Sequence, residues 1–152
     1  NFSIAMKNLL ERIKRLDGAS LGRPASAEDL AMATKKLTRN NLPDMPEELK
    51  KLLKKSDGLI YDGVEVLPVN PDNMRDADYM PRSIVDVNQK YAFSSFSRKW
   101  QGALIFGNAD EEIYCFVPSK NKYVIVDRTG YDEYESFDSI TDLLYSVLKI
   151  VK

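Results

Sequence analysis

The sequence predicts an α+β domain with a central, mostly antiparallel sheet packed by about four to five helices. Apolar residues at helical spacing occupy both ends of the chain, whereas short apolar runs separated by turn residues occupy the middle. The 152 residues are 43% hydrophobic and 30% charged, which is typical of a single folded domain and argues against disorder. A chain of this length needs neither a metal ion nor a disulfide to fold.

The first predicted element is a helix over residues 2–16. Apolar side chains recur there at four-three-four-three spacing, so they form one stripe along a helix. The stripe comprises Phe2, Met6, Leu9, Ile13 and Leu16. Gly18 ends this helix and begins a loop over residues 18–25.

Two further helices are predicted before residue 58. Ser26, followed by Asp29, is the start signal of the second helix, which Asn40 and Asn41 end. Pro46 suits the first turn of the third helix, since its missing N–H has no partner to lose there. The core-facing residues of the two helices are Leu30, Ala33, Leu37, Leu49, Leu52 and Leu53.

The middle of the chain predicts a short hairpin and then an irregular segment. The dipeptide Asp62-Gly63 separates apolar runs over residues 59–61 and 64–67, which is the signal of two paired strands. Residues 68–82 contain three prolines and are expected to be irregular. Ser83 is a candidate cap for a fourth helix that extends to Tyr91.

Three clearer strands are predicted over residues 103–106, 113–117 and 123–127. Residues 118–122 form the hairpin loop between the last two strands. Both faces of the strand over 113–117 are apolar, so we expect it to be a central strand covered on both sides.

The chain is expected to end in a helix. Ser136 or Asp138 is the candidate cap of this helix. Apolar residues at helical spacing form its core face. They are Ile140, Leu143, Leu144, Val147, Leu148 and Val151.

The composition excludes several common chemistries. The chain has no histidine, so it has no Ser–His or Cys–His nucleophile pair and lacks the commonest ligand of transition metals. Its glycines are scattered singly and form neither a phosphate loop nor a dinucleotide fingerprint. Cys115 lies within an apolar strand and is interpreted as a buried structural thiol. We predict no cofactor, no metal site and no catalytic residue.

Carboxylate chemistry is the remaining enzymatic alternative. Acidic residues cluster at 110–112, between two strands, and again at 132–135, before the closing helix. Two such groups can act as acid and base if their surroundings separate their pKa values, whereas loop carboxylates are usually solvated. Asn108, Asp110 and Glu112 alternate like oxygen ligands of Ca²⁺, but the twelve-residue loop with its central glycine is missing.

Charge is distributed unevenly along the chain. Residues 35–55 hold seven Lys or Arg and three acidic residues, a net charge of +4, whereas residues 110–142 hold nine acidic residues and three Lys or Arg, a net charge of −6. One interpretation is two solvated faces. The other is an acidic surface that receives a basic protein, such as a nuclease toxin.

Aromatic residues crowd one segment. Tyr91, Phe93, Phe96 and Trp100 lie within ten residues of one another. They suit an interface, because Trp, Tyr and Arg dominate binding hot spots, and they equally suit core packing before a strand. The overall net charge of −1 gives nucleic acid or an anionic membrane no general attraction.

The N-terminal apolar residues do not form a targeting segment. They are interrupted by charged residues, so they make neither a signal-peptide core nor a membrane-spanning helix. The charged residues are Lys7, Glu11, Arg12, Lys14 and Arg15. With a single cysteine in the chain, we therefore expect a soluble, cytoplasmic protein.

Several motifs, in their order, carry a family resemblance. Leu42-Pro43, then Glu48-Leu49 and Leu52-Leu53, and finally Ser56-Asp57-Gly58 resemble the signature of the SUKH superfamily. These proteins are the relatives of the yeast cell-wall assembly regulator and include the YrhA-like and YobK-like bacterial groups. The segments over 104–108, 113–116, 124–127 and 136–144 are similar to the family's Phe-Gly strand, its hairpin partner, the next strand and the closing helix.

The resemblance covers residues 27–148, and the helix over 2–16 lies outside it. It implies an α+β fold and no catalytic residues. Many bacterial members are regarded as immunity proteins that bind and neutralise toxins, and eukaryotic members act as regulatory scaffolds. The family often has Asn where this chain has Asp57.

The resulting hypothesis is a non-enzymatic protein-binding domain of the immunity type. Its expected partner is another protein, such as a toxin domain, and neither nucleic acid nor a membrane. The alternatives are a regulatory scaffold without a toxin partner, and a carboxylate-based hydrolase or small-ligand-binding domain. The candidate partner-binding residues are Phe93, Phe96, Trp100, Asp110, Glu111 and Glu112.

Overall fold

Six α-helices and seven strands build the chain in the computed structural model, which describes residues 1–152. The helices are α1 (Phe2–Lys14), α2 (Ala27–Arg39), α3 (Glu47–Lys55), α4 (Ile84–Tyr91), α5 (Ser95–Lys99) and α6 (Ile140–Val147). The strands are β1 (Ser20–Leu21), β2 (Leu59–Tyr61), β3 (Val64–Val66), β4 (Leu104–Ala109), β5 (Glu112–Val117), β6 (Lys122–Asp127) and β7 (Glu133–Phe137). A 3₁₀ helix spans Pro71–Met74. The predicted α+β class is confirmed.

The strands form one antiparallel sheet in which spatial order follows sequence order, from β1 to β7. The two edges of the sheet are therefore β1 and β7. Strand β5 lies between β4 and β6, and its residues Ile113, Tyr114 and Cys115 are all buried. This confirms the prediction of a central strand covered on both sides.

Local signals place the first four helices near their predicted positions, although α1 ends at Lys14 and not at residue 16, and Pro46 is the N-cap of α3 and not part of its first turn. Ser26 forms a capping box with Asp29, since the hydroxyl accepts from the Asp29 N–H and the carboxylate accepts from the Ser26 N–H, both at 3.0 Å. Ser83 caps α4 through its hydroxyl alone, which accepts from the Asp86 N–H at 3.0 Å. All of the predicted core-facing residues of α2 and α3 are buried. Periodic apolar burial therefore suffices to locate these helices.

Hydrogen bonds connect the helices to the sheet and to one another. Asn88 of α4 accepts from the Ile105 N–H at 2.9 Å and donates to the Ile105 carbonyl at 2.8 Å, so it satisfies the β4 backbone where β3 has ended. Glu48 of α3 accepts from the Ile140 N–H at the start of α6 at 2.9 Å. None of the helices is both long and apolar enough to cross a membrane.

The segment between β3 and α4 is held by a buried carboxylate. Asp57 has no exposed surface and accepts from the Val69 N–H at 2.7 Å, the Asn70 N–H at 3.0 Å and the Asn73 amide at 2.8 Å. Asn70 and Asn73 also donate to Asp29 of α2, at 3.1 and 3.2 Å. The 3₁₀ turn is thereby fixed to the helical layer.

The predicted start of the closing helix is wrong. Ser139 caps α6 by accepting from the Asp142 N–H at 3.1 Å, whereas Ser136 belongs to β7. Val151 lies beyond α6 and is 82% exposed, so it does not extend the core face. The prediction failed because β7 has no buried side chain, so its polar residues resemble a loop that precedes a helix.

Two short elements were also not predicted. Strand β1 lies within the expected loop over 18–25, and α5 lies within the aromatic segment. A Cβ atom on Gly22, directly after β1, would lie 2.2 Å from the Asp57 carbonyl oxygen. The chain passes against Asp57 there only because residue 22 has no side chain.

Candidate protein-binding surface

Three turns of the sheet meet at one end of the molecule. In an antiparallel meander alternate turns lie at the same end, so the β2–β3, β4–β5 and β6–β7 turns are neighbours. Glu65, beside the first turn, pairs with Asn108, beside the second. The acidic residues here are Asp62, Asp110, Glu111, Glu112, Asp127, Asp132 and Glu133, and we call this surface the acidic end.

Local geometry holds the first of these turns tight. Asp62 and Gly63 both have positive φ values, 48° and 80°, as a two-residue hairpin turn that follows the twist of its strands requires. An Asp-Gly pair tolerates this conformation better than most dipeptides. The Asp62 carboxylate is therefore carried on a turn whose backbone has little freedom.

The second and third turns are joined by hydrogen bonds. The Arg128 N–H donates to the Glu111 carbonyl at 3.0 Å, and the Arg128 guanidinium donates to the Ala109 carbonyl at 2.8 Å. Asp127 accepts from the Thr129 and Gly130 N–H groups at 2.6 Å each. These backbone donors lower the pKa of Asp127 and keep it charged.

Several carboxylates of the acidic end form no ion pair, although Arg128 lies at the same end and is hydrogen-bonded to backbone carbonyls. The chain has six ion pairs, and only the one between Asp132 and Lys99 involves the acidic end. Asp110, Glu111 and Glu133 are exposed and take part in none. Their charges therefore project a negative potential into solvent.

An exposed tyrosine lies among these carboxylates. Tyr134 is 58% exposed and lines a shallow groove of about 400 Å³ together with Asp62 and the 109–112 segment. Partial desolvation, together with nearby negative charges that include Asp127 and Glu111, raises the pKa of Tyr134. Tyrosine is one of the residue types that are enriched in binding hot spots.

The predicted acidic residues occupy this end in different settings. Asp110 and Glu111 form the exposed tip of the β4–β5 hairpin. Glu112 is half-buried and accepts a hydrogen bond from the Tyr114 hydroxyl at 3.0 Å, so one of its carboxylate oxygens already has a partner within the chain. Ala109 pairs with Glu112 across the turn, which fixes the spacing of the three carboxylates.

The predicted aromatic residues lie elsewhere. Trp100 precedes β4 whereas Asp110 follows it, and a strand of six residues spans about 20 Å. Trp100 and Phe93 line a separate groove of about 730 Å³ between the 40–44 loop and helices α4 and α5. The six predicted residues therefore line two different grooves, and Trp100 connects the aromatic groove to the acidic end through its hydrogen bond to the Tyr131 carbonyl of the β6–β7 turn.

Within the aromatic groove, Phe93 and Phe96 differ sharply. Phe93 is 93% exposed, and its φ of 63° is unusual for a bulky residue. Phe96 is only 2% exposed and packs edge-on against Tyr91 and Tyr131, at centroid distances of 5.9 and 5.5 Å. Phe96 belongs to the core, so its assignment to a partner-binding surface is wrong.

Trp100 is intermediate between these two. Its ring is half-buried, and its indole N–H donates to the Tyr131 carbonyl at 2.8 Å. The Lys120 ammonium lies 5.2 Å from the ring centroid, which leaves one face of the ring in contact with a cation. Trp100 thus joins α5 to the β6–β7 turn and presents only part of its surface to the groove.

The geometry also bears on the metal and thiol interpretations. No group of three or more Cys, Asp or Glu side chains converges as metal ligands would. Asn108 pairs with Ile113 inside the sheet, whereas Asp110 lies at the hairpin tip. The Cys115 thiol is fully buried, and burial together with the charge of Glu133 raises its pKa to about 12. The interpretation of Cys115 as a buried structural thiol is confirmed.

Sequence reasoning missed two members of this surface, Asp62 and Tyr134. The sequence pattern assigns Asp62 only to a turn, and it assigns no role to Tyr134. The alternation of charged and aromatic residues along β7, in which Glu133 and Glu135 flank Tyr134, was the available signal of a strand.

No family model matches the chain, and no curated protein matches it significantly. The function is therefore inferred from the geometry of the acidic end and from the resemblance of the motifs described above.

Proposed function

We propose that this protein is a non-enzymatic binding domain of the immunity type, which neutralises a bacterial toxin by covering it with the acidic end. The observation that carries the proposal is the convergence of three turns whose carboxylates, among them Asp110, Glu111 and Glu133, form no ion pair within the chain. Such a surface attracts a basic partner, whose cations can form the ion pairs that these carboxylates lack within the chain.

The expected partner surface is basic. A domain that cleaves nucleic acid must attract phosphate groups, so its substrate-binding surface carries Lys and Arg. An acidic protein surface that covers such a site excludes the substrate and is steered toward it by long-range attraction. Tyr134 would add apolar contact area at the centre of the charged patch.

The setting of the carboxylates favours binding over catalysis. A general acid needs an environment that separates its pKa from that of its base partner, and such an environment is usually a desolvated cleft. Asp110 and Glu111 lie instead on an open hairpin tip. Their exposure is well suited to contact with another macromolecule.

The decisive experiment pairs the protein with the product of each adjacent gene. If a neighbour is a toxin, its expression arrests growth, and co-expression of this protein restores growth. The variant Asp110→Lys/Glu111→Lys is expected to bind at least about tenfold more weakly and to lose the rescue, because it reverses the charge at the hairpin tip.

A matched control separates the surface from the total charge. Glu11→Lys/Asp17→Lys makes the same change in net charge at exposed positions of α1 and the turn that follows it. This control should bind like the wild type in buffer of low ionic strength, where charge effects are largest. Equal binding by both double variants would contradict the acidic-end proposal.

A regulatory scaffold is the second candidate, and the aromatic groove favours it. Phe93 and Tyr134 lie on separate surfaces, and a scaffold needs two surfaces in order to hold two partners at once. Phe93→Ala should then release one partner and leave the other bound, as co-precipitation of both from one sample would report. An immunity protein would lose its single partner only through changes at the acidic end.

A further inference from the structure

The two edges of the sheet differ in length and in cover. The β1 edge has two residues, and the chain directly after it packs against Asp57. The β7 edge has five residues, of which Glu133, Tyr134, Glu135 and Ser136 are all exposed. A strand this long with nothing beside it is a template for pairing with another chain.

Hydrogen bonds of β6 establish which way its backbone groups point. The Asp127 N–H donates to the Asp132 carbonyl at 2.9 Å, in the direction of β7. The Arg128 N–H donates to the Glu111 carbonyl at 3.0 Å, in the direction of β5. Because backbone groups alternate along a strand, Ile125 and Tyr123 also direct theirs toward β7.

This alternation identifies the free group on the outer edge. Ile125 pairs with Glu135, and Tyr123 pairs with Phe137, so these residues of β7 exchange hydrogen bonds with β6. Ser136 lies between them and therefore directs its N–H and carbonyl away from the sheet. Its exposed position leaves both groups free to pair with another strand.

We propose that β7 receives an extended, basic segment of the partner protein as an eighth strand of the sheet. The inference rests on the proposed function and deepens it, because it names the part of the partner that the acidic end holds. Backbone hydrogen bonds along β7 supply affinity, and side chains on either side of the added strand supply specificity.

Charge selects a basic strand. Glu133 pairs with Val126 and Glu135 with Ile125, and a bulge at this point places Tyr134 between them. Neighbouring residues of β6 face opposite sides of the sheet, so their partners present a carboxylate on each side. Neither glutamate forms an ion pair within the chain. Lys or Arg at successive positions of an added strand would meet both.

The same charges disfavour a second copy of this chain. In a two-fold antiparallel pairing centred on Glu135, that residue would face its own copy. In one centred on Tyr134, Glu133 would face Glu135. Like charges directly opposite each other destabilise both of these pairings. A pairing centred on Ser136 would place Glu135 opposite Phe137 and leave the glutamates without cations, whereas a basic segment supplies a cation to each of them.

The test uses two fluorescently labelled peptides in low-salt buffer. One has the sequence Thr-Val-Lys-Arg-Lys-Val-Thr, whose successive basic residues face both sides of a strand, and the other replaces each basic residue with Glu. Fluorescence polarisation should show binding of the basic peptide alone. Hydrogen exchange of the Ser136 amide should slow in that complex, because the amide becomes a donor to the added strand.

Ser136→Pro removes the free donor and leaves the β6–β7 hydrogen bonds in place, since proline is tolerated at an edge strand whose N–H faces solvent. It should weaken peptide binding by about tenfold, the upper range of one hydrogen bond. Ser136→Thr keeps the donor and is the matched control. Glu133→Arg/Glu135→Arg leaves every backbone donor in place. This variant should bind the acidic peptide more tightly than the basic one.

Each outcome decides the inference. Unchanged binding by Ser136→Pro, with no slowing of Ser136 exchange, would show attraction by charge alone and overturn strand addition, while the proposed binding of a basic partner would stand. Failure of the Asp110→Lys/Glu111→Lys variant to weaken partner binding would overturn the proposed function instead. The proposal of an added basic strand would be overturned by equal binding of both peptides or by binding of neither. It would also be overturned by a wild-type dimer that Ser136→Pro dissociates.

Discussion

Two groups of carboxylates in this protein have opposite surroundings. Asp57 is fully buried and accepts hydrogen bonds from the Val69 N–H, the Asn70 N–H and the Asn73 amide. At the acidic end, Asp110 and Glu111 are exposed and take part in no ion pair. A carboxylate therefore stabilises the fold where the chain supplies its hydrogen-bond donors. Where the chain supplies none, the carboxylate is accessible to another molecule.

The contrast separates stability from recognition. When a buried carboxylate is removed, the buried groups that donate hydrogen bonds to it are left without an acceptor, and the stability of the fold falls. An exposed carboxylate can be lost with little effect on folding, since water already satisfies it. Substitutions at the two places should therefore affect different measurements, and the following predictions test this in order of expected size.

Asp57→Ala should give the largest loss of stability. It leaves three donors in a buried site without their acceptor, and we expect a loss of about 3 kcal/mol in the free energy of unfolding. Urea denaturation followed by circular dichroism measures the loss. Asp110→Ala is the matched comparison and should stay within about 0.5 kcal/mol of wild type. Similar losses at both positions would break the contrast.

Gly22→Ala should be the next largest. The added Cβ would meet the Asp57 carbonyl oxygen at 2.2 Å, and the backbone must move apart, at a loss of about 1–3 kcal/mol. Gly18→Ala is the control, because Gly18 has a φ of 83° but open space around it. It should lose only about 1 kcal/mol from the left-handed backbone. A smaller loss at Gly22 than at Gly18 would argue against close packing there.

The pH dependence of stability should distinguish Asp57 from Asp29. Burial raises the pKa of Asp57 above its ordinary value of 3.8, so the folded state holds this proton more tightly than the unfolded state. The contribution of Asp57 to stability therefore falls as pH rises from about 3.8 through its raised pKa.

Asp29 should behave in the opposite way. Backbone hydrogen bonding from Ser26 leads the factors that lower its pKa, so its contribution is present above 3.8 and is lost as pH falls through the folded value. Denaturation of wild type, Asp57→Asn and Asp29→Asn across pH 3 to 7 would show which slope disappears. If Asp57→Asn left the slope above its ordinary pKa unchanged, burial would not control that carboxyl.

The smallest effect is expected from Glu111→Gln/Glu133→Gln. Removing two uncompensated charges relieves repulsion at the acidic end, so the free energy of unfolding should rise by a few tenths of a kcal/mol or stay unchanged. The same variant should bind the partner more slowly at low salt. A loss greater than about 1 kcal/mol would mean that these carboxylates support the fold after all.

Burial periodicity explains which elements could be predicted from the sequence. Helices α1 to α4 and strands β4 to β6 each bury a regular set of apolar residues, such as Leu49, Leu52 and Leu53 in α3. Strand β7 buries none, and β1 has only two residues, so neither produces a pattern. Both strands exist because a neighbouring strand offers backbone hydrogen bonds, which sequence periodicity does not encode.

The candidate site was predictable only in part, for a similar reason. Counting charges located Asp110 and Glu111, but the approach of Asp62 and Tyr134 depends on the order of strands in the sheet. The clustering of aromatic residues did not distinguish the exposed Phe93 from the buried Phe96. Burial of a single side chain depends on what packs over it from distant parts of the chain.

The single thiol in the central strand can serve as a natural probe of the opening of the sheet. Cys115 is fully buried in β5, between two other strands, so an aromatic disulfide reagent can reach it only when the sheet opens. The labelling rate then measures the free energy of that opening without any engineered probe. A ligand that joins the sheet should slow the labelling in proportion to its affinity, because it binds only the closed form.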